Sequence, residues 1–484
     1  MTQVSSLRAA PESVPSSDFG RNGSGRRSGG GAMRWLALAL FALLPLQWFA
    51  VASTPLGQSR LHQIAILGFA SCVLARYHLR VYAPVLRTSA VFVIANVYMV
   101  AAVAAVLVFQ GKGPGAAVQQ LLYLVVFVAL GGFFFRVATG QEPRILDALR
   151  KTAAVLCVSL LIGFAVAMMV NGVNPVAVLA KSIATGDPEI FQKEVFKSAF
   201  AGFGLDEEMV KGNLRHEIFG SVLLSMLVST WAMRERSAPT RRQLTVYRAA
   251  MVVGVVLLAV SLSRSILIAA VVWPLLVVLR SGRRGELSTR QVAILFGFAA
   301  AMSGLLVSGV GAIIANRFLT DTTGYESRAG NYGDAFAAVP GHWVTGGYDT
   351  AGVSSHNFLL DTLLRNGIFA LLPAAVIVVA LLVVFVVLAA RLHRLPSSMV
   401  PVVAALALPL VRLGTSGGGL IPPVEWLTLA FVAGVLTAWR ARQRSAEPTR
   451  DRAELSASRE TLPPPVRSRP VLGRGNLTHE SVWD

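Results

Sequence analysis

Residues 247–280 read Y-R-A-A-M-V-V-G-V-V-L-L-A-V-S-L-S-R-S-I-L-I-A-A-V-V-W-P-L-L-V-V-L-R. Arginines stand near both ends, at Arg248 and Arg280, and one more, Arg264, sits in the middle. As one helix, at about 1.5 Å per residue, the stretch would be some 50 Å long. A bilayer hydrocarbon core is only about 30 Å thick. The alternative is two short spans that turn at Ser263-Arg264-Ser265. Both flanking basic segments then face the same side, as the excess of Lys and Arg in cytoplasmic loops requires. A single helix would turn the basic 280–290 loop outward and invert every later segment. The turn is therefore the expected reading, with Arg264 at or below the outer headgroup plane.

Working outward from this turn, apolar spans lie near 34–52, 61–75, 88–109, 116–135, 153–170, 217–233, 247–263, 265–279, 291–313, 367–390, 399–413 and 422–439. Several are shorter than the roughly 20 residues that span a bilayer. With the amino end inside, the inner segments are 1–34, 76–87, 136–151, 234–248, 280–290, 391–398 and 440–484, and they hold 32 of the 44 lysines and arginines. Every inner connection contains arginine, so twelve spans form a self-consistent register. Ala50-Val51-Ala52 has the small-x-small look of a signal cleavage site, but a long leader precedes it and the first span is retained.

The expected fold is thus an all-α polytopic membrane protein of about twelve transmembrane helices, with a large periplasmic loop between spans 9 and 10. Residues 1–33 read as a disordered cytoplasmic tail and 34–440 as the helical domain. Residues 441–484, with Pro463-Pro464-Pro465 and many arginines, read as a second disordered tail. Both termini are expected in the cytoplasm.

Composition agrees. Of 484 residues, 54% are hydrophobic and only 14% charged, with mean hydropathy +0.61. Soluble domains carry about a quarter charged residues. The net charge of +19 does not signal nucleic acid, because the basic residues sit between spans without a basic face or aromatic platform. Cys72 and Cys157 lie inside apolar stretches and read as small core residues, and no metal-ligand spacing occurs.

Two outer loops are long, 171–216 and 314–356, and long loops in compact proteins usually carry function. Their ionisable groups form a short set. Arg215 and His216 end the first loop. Arg328, Asp334, Asp349 and His356 lie in the second. Arg264, surrounded by apolar residues, is costly to bury unless it faces a cavity or snorkels to the lipid headgroups. Gly111-Lys112-Gly113-Pro114-Gly115 reads as a turn and not a phosphate loop, since it lacks the Lys-Ser/Thr ending. Gly417-Gly418-Gly419, beside Arg412, is a weak anion-nest signal.

The order of these pieces is specific. Ser261-Leu262-Ser263-Arg264-Ser265 leads into a span. Ser327-Arg328, Tyr332, Asp334-Ala335-Phe336, Pro340, Gly346-Gly347-Tyr348 and Ser355-His356-Asn357-Phe358-Leu359 follow, and Asn366-Gly367-Ile368 opens the next span. Over roughly residues 247–390 this resembles the O-antigen ligase and O-antigen polymerase superfamily of bacterial envelope glycosyltransferases. Tyr332 stands where the family often has tryptophan, and the loop is fairly short.

The resemblance implies a bacterial inner-membrane enzyme. It moves a glycan from undecaprenyl pyrophosphate to an acceptor hydroxyl on the periplasmic face, with no metal or cofactor. The acceptor would be a glycan or a lipid A–core-type molecule. Arg264 and Arg328 match the family's essential arginines and His356 its loop histidine, with Arg215 a looser match. Asp334 and Asn357 fall in the same motifs as expected substrate contacts. The residues suit this chemistry in their own right. Arginine stays ionised and pairs with phosphate oxygens, fixed charge stabilises a departing pyrophosphate, and a neutral histidine can accept the acceptor's proton. Asp334 or Glu217 could serve as base or orient the histidine. The other reading is a transporter or flippase of a lipid-linked or small polar substrate. Carriers usually show internal repeats and midplane charge, and no convincing repeat is present. Ligase and polymerase are not separated by the sequence.

Overall fold

Where lipid replaces water, backbone polar groups must be satisfied within the segment itself, and apolar runs become helices. The computed structural model describes residues 29–54, 57–185, 215–235, 238–261, 263–285, 323–348, 357–415 and 420–460, with the single positions 190 and 355. Its helices are α1 (Gly29–Leu43), α2 (Leu61–Arg76), α3 (Ala83–Thr88), α4 (Ala90–Phe109), α5 (Gly115–Ala138), α6 (Pro143–Leu149), α7 (Thr152–Val170) and α8 (Pro175–Thr185). They continue with α9 (Arg215–Arg234), α10 (Arg241–Val260), α11 (Arg264–Arg284), α12 (Thr323–His342), α13 (Phe358–Ala390), α14 (Met399–Ala405), α15 (Ala407–Thr415) and α16 (Pro423–Glu460). One short antiparallel hairpin, β1 (Ala50–Thr54) with β2 (Gly57–Arg60), interrupts them.

Eight of the described helices are long and apolar enough to cross a membrane: α4, α5, α7, α9, α10, α11, α13 and α16. The segment from Leu61 to Thr88 adds a pair bent by 111°. The chain is a multi-pass α-helical membrane protein. α10 ends at Val260 and α11 begins at Arg264, so 247–280 forms two helices with the break where the turn was expected.

Other boundaries differ from expectation, each for a local reason. The first span was expected over 34–52, but α1 stops at Leu43, just before Pro45, and β1 follows. The run at 399–413 divides at Leu406. Pro409 cannot donate to the carbonyl of Ala405, four residues back, and its ring crowds that position. α16 continues through 441–460, into the segment expected as a disordered tail, on a run rich in Arg, Ala and Glu that favours helix despite Pro448. The expected ninth span, 291–313, and most of the 171–216 loop lie outside the described residues.

Burial sorts the spans into a centre and a rim. Within their apolar windows, 89% of α9, 78% of α16 and 67% of α5 is buried, against 22–39% for α4, α7, α10, α11 and α13. α9 holds the centre with small polar residues. Ser221 and Ser225 are fully buried and return their hydroxyls to the carbonyls of Ile218 and Val222, so they pack closely without an unmet hydrogen bond. α5 and α16 approach backbone to backbone at Gly434, where a Cβ would stand 2.4 Å from the Gly131 carbonyl oxygen. The apolar faces of the rim helices, such as Val91, Ile94, Tyr98, Phe369 and Val383, stay exposed for lipid.

Candidate functional site

The two ends of the helical body are built differently. At one end, arginines tie short connections together. Arg76 pairs with Glu142, and Arg442 with Glu235. Arg150 donates to the carbonyl of Ala232, Arg234 to that of Ser397, Arg280 to that of Leu395, Arg283 to that of Ala390 and Arg284 to that of His393. These bonds join segments 76–87, 136–151, 234–248, 280–290, 391–398 and 440–484, the set that the charge rule put inside. This is the basic end.

At the opposite, mixed end, charged and polar side chains of both signs meet below the surface. Arg412, in the last turn of α15, is 3% exposed. Its Nη2 lies 3.7 Å from Glu217 Oε1 in the first turn of α9, and its Nε lies 3.7 Å from Glu425 Oε1 in the first turn of α16. His62, the second residue of α2, is fully buried with Nε2 3.8 Å from Glu217 Oε2. Arg60 acts electrostatically on His62, Glu217 and Tyr123. Gln120, near the start of α5, donates Nε2 to the Ile421 carbonyl.

These ion pairs are longer than hydrogen bonds, which run to about 3.2 Å. Arg412 Nε and Nη1, Glu425 Oε2, both ring nitrogens of His62 and Gln120 Oε1 are buried with no hydrogen-bond partner among the described residues. Native interiors pair nearly all such groups, so a cluster of exceptions calls for a cause. At 3.7–3.8 Å the charged groups attract one another without a direct hydrogen bond. The cluster offers donors and acceptors together, which fits hydroxyl-rich or hydrated groups.

His216 connects this cluster to the turn. Its Nδ1 is hydrogen-bonded to Ser263 Oγ at 2.6 Å and to Ser265 Oγ at 2.9 Å. The backbones at Arg215 and Arg264 are thereby brought to adjacent helix starts. The side chains of Arg215, Arg264 and Arg328 lie outside what is described, as does His356 altogether. Its neighbours are held firmly. Ser355 Oγ donates to buried Asp361 at 2.6 Å, and Asn357 caps α13 by accepting from the N–H groups of Leu359 and Leu360. Asn357, expected as a substrate contact, thus has a capping bond to make. Asp334 is exposed on α12.

Two further motif pieces meet. Gly346-Gly347-Tyr348 docks on Arg365-Asn366-Gly367, with Gly347 N donating to the Arg365 carbonyl, Tyr348 N to Leu364 and Ile368 N to Trp343. Gly367 breaks α13 with φ +73°, and a Cβ there would stand 2.1 Å from the Val344 carbonyl oxygen. Only glycine fits such a position. Gln110 Nε2 donates to the Thr345 carbonyl, which fixes the junction at the mixed end beside the α4–α5 turn.

Sequence reading did not single out Arg60, His62 or Glu425, and gave Glu217 and Arg412 minor parts. The available signal was position. All five fall within about one turn of a span end on the side expected outside, where ionisable residues are functional candidates. Neither a protein-family model nor a curated protein matches the chain.

Proposed function

We propose that the protein is a lipid-linked glycan transferase of the O-antigen ligase and polymerase kind, working at the mixed end with that end toward the periplasm. The observation that carries the reading is convergence. The Ser-Arg-Ser turn, the Arg215-His216 pair and the Gly-Gly-Tyr/Asn-Gly-Ile junction, which are far apart in sequence, belong to the same end of the helical body. That end also holds the buried charge cluster.

In this reading Arg264 and Arg328 bind the pyrophosphate of the undecaprenyl donor, with Arg215 beside them. The bond between the glycan's anomeric carbon and the pyrophosphate oxygen breaks, and its electron pair leaves with the pyrophosphate. The acceptor oxygen bonds to that carbon, and its proton passes to His356. Asp334 and Asn357 remain candidate substrate contacts. One connection of the expected twelve-span register has support as well. α11 and α13 end together at the basic end, whereas α13 starts at the mixed end. The chain therefore passes from one end to the other between Gly285 and Phe358, as the expected ninth span requires.

A carrier is the second reading, since buried Glu425 and His62, with Glu217 beside them, would suit proton coupling. Their place at span ends, away from the midplane, favours the transferase. The test is to incubate purified protein with undecaprenyl-pyrophosphate-linked glycan and with each acceptor class separately. Product should form with one class and be lost on Arg264→Ala and on His356→Ala. Parental turnover by His356→Ala would remove the histidine from the chemistry. Absence of product with every acceptor, combined with substrate uptake into vesicles, would establish the carrier.

A further inference from the structure

A crevice of about 950 Å³ opens on the rim between α1, α7 and α10. Its wall on α7 is the ridge Ala154, Val158, Ile162 and Val166, spaced four residues apart. Such a row runs along one side of a helix, here for about 18 Å at 1.5 Å per residue. Ala42 of α1 and, just after that helix, Leu46 and Phe49 complete the lining. The opposite mouth is polar and lies among the basic-end segments, with Arg150, Lys151, Arg242 and Gln243 around it and no acidic residue in the lining.

The three cations differ in what they already hold. Arg150 is engaged by Asp147 and by the carbonyls of Ala232 and Glu235. The side chains of Lys151 and Arg242 make no hydrogen bond or ion pair among the described residues. An apolar trough about as long as one leaflet is deep, with two uncommitted cations at its mouth, has the shape and polarity of a single lipid. We infer that the crevice is a binding site for an anionic glycerophospholipid, its phosphate between Lys151 and Arg242 and one acyl chain along the α7 ridge. The charge rule puts this mouth in the cytoplasmic leaflet, where anionic lipid attracts basic groups near the surface. It lies at the end away from the mixed cluster, so the site is separate from donor binding and does not depend on the transferase reading.

Native mass spectrometry of the purified protein tests this. The detergent is supplemented with phosphatidylglycerol, phosphatidylcholine of the same chains, or undecaprenyl phosphate. The parental protein should retain one phosphatidylglycerol, preferred about thirtyfold over phosphatidylcholine, as expected for two interfacial cations. Lys151→Gln with Arg242→Gln should abolish the preference. Val158→Trp, which fills the trough from an exposed position, should lower retention of both phospholipids. Equal retention of the two phospholipids by the parental protein needs no variant and would overturn the assignment. So would an undiminished preference in the double variant, unchanged retention in Val158→Trp, or displacement of phosphatidylglycerol by an equal amount of undecaprenyl phosphate.

Discussion

The basic and mixed ends solve the same problem, joining helices where the bilayer stops, in opposite ways. At the basic end each linking arginine has a carbonyl or carboxylate within hydrogen-bond range, such as Arg283 on Ala390 at 2.7 Å and Arg442 on Glu235 at 2.7 Å. At the mixed end Arg412 stands 3.7 Å from two carboxylates and holds neither closely. The linking arginines each make at least one close bond, although Arg442 also keeps a buried Nε without a partner, whereas Arg412 makes no close bond at all. Burying charge without close pairing is costly, and such strain is tolerated where it serves function.

The largest expected effect tests that contrast. Arg412→Gln combined with Glu425→Gln keeps the cluster's net charge and its approximate volume. Glycan transfer by this double variant should fall about a hundredfold, the scale for loss of a preorganised charged group, while the protein still inserts. Undiminished transfer would make the mixed cluster a staple like those at the other end. A smaller effect is expected at the junction. Gly367→Ala places a Cβ against the Val344 carbonyl and should cost about 1–3 kcal/mol or more in thermal unfolding. An unchanged melting temperature would show the junction to be slack. The smallest belongs to the basic end. Arg284→Gln removes bonds to His393 and Leu395 and should cost about 1 kcal/mol, with transfer rates unaltered. A large loss of transfer there would erase the distinction between the ends.

Much of the fold was legible because lipid imposes it. Apolar length gives the spans, and arginine placement gives the parity that separates the two sets of connections. Boundaries were read less well where polar residues extend a helix. α10 starts at Arg241, six residues before the apolar run, because Thr240 and Gln243 form a reciprocal cap. α13 starts at Phe358 because Asn357 caps it, and the apolar span proper begins only after the Gly367 break. The motif residues were visible because they lie in one stretch, and the docking of Gly346-Gly347 on Gly367 accounts for these three physically. The charge cluster was not legible as a unit. His62, Glu217, Arg412 and Glu425 come from four helices spread over more than 360 residues, and no spacing rule connects them.

The account depends on which way the mixed end faces, and thiol labelling in intact cells addresses that directly. In a Cys72→Ser background, which removes the exposed cysteine and leaves the buried Cys157, Gly113→Cys marks the mixed end and Arg394→Cys the basic end. A membrane-impermeant maleimide should modify Gly113→Cys in intact spheroplasts and Arg394→Cys only after permeabilisation. The reverse pattern would place the charge cluster in the cytoplasm, away from the leaflet that displays the donor glycan, and would contradict the proposed function.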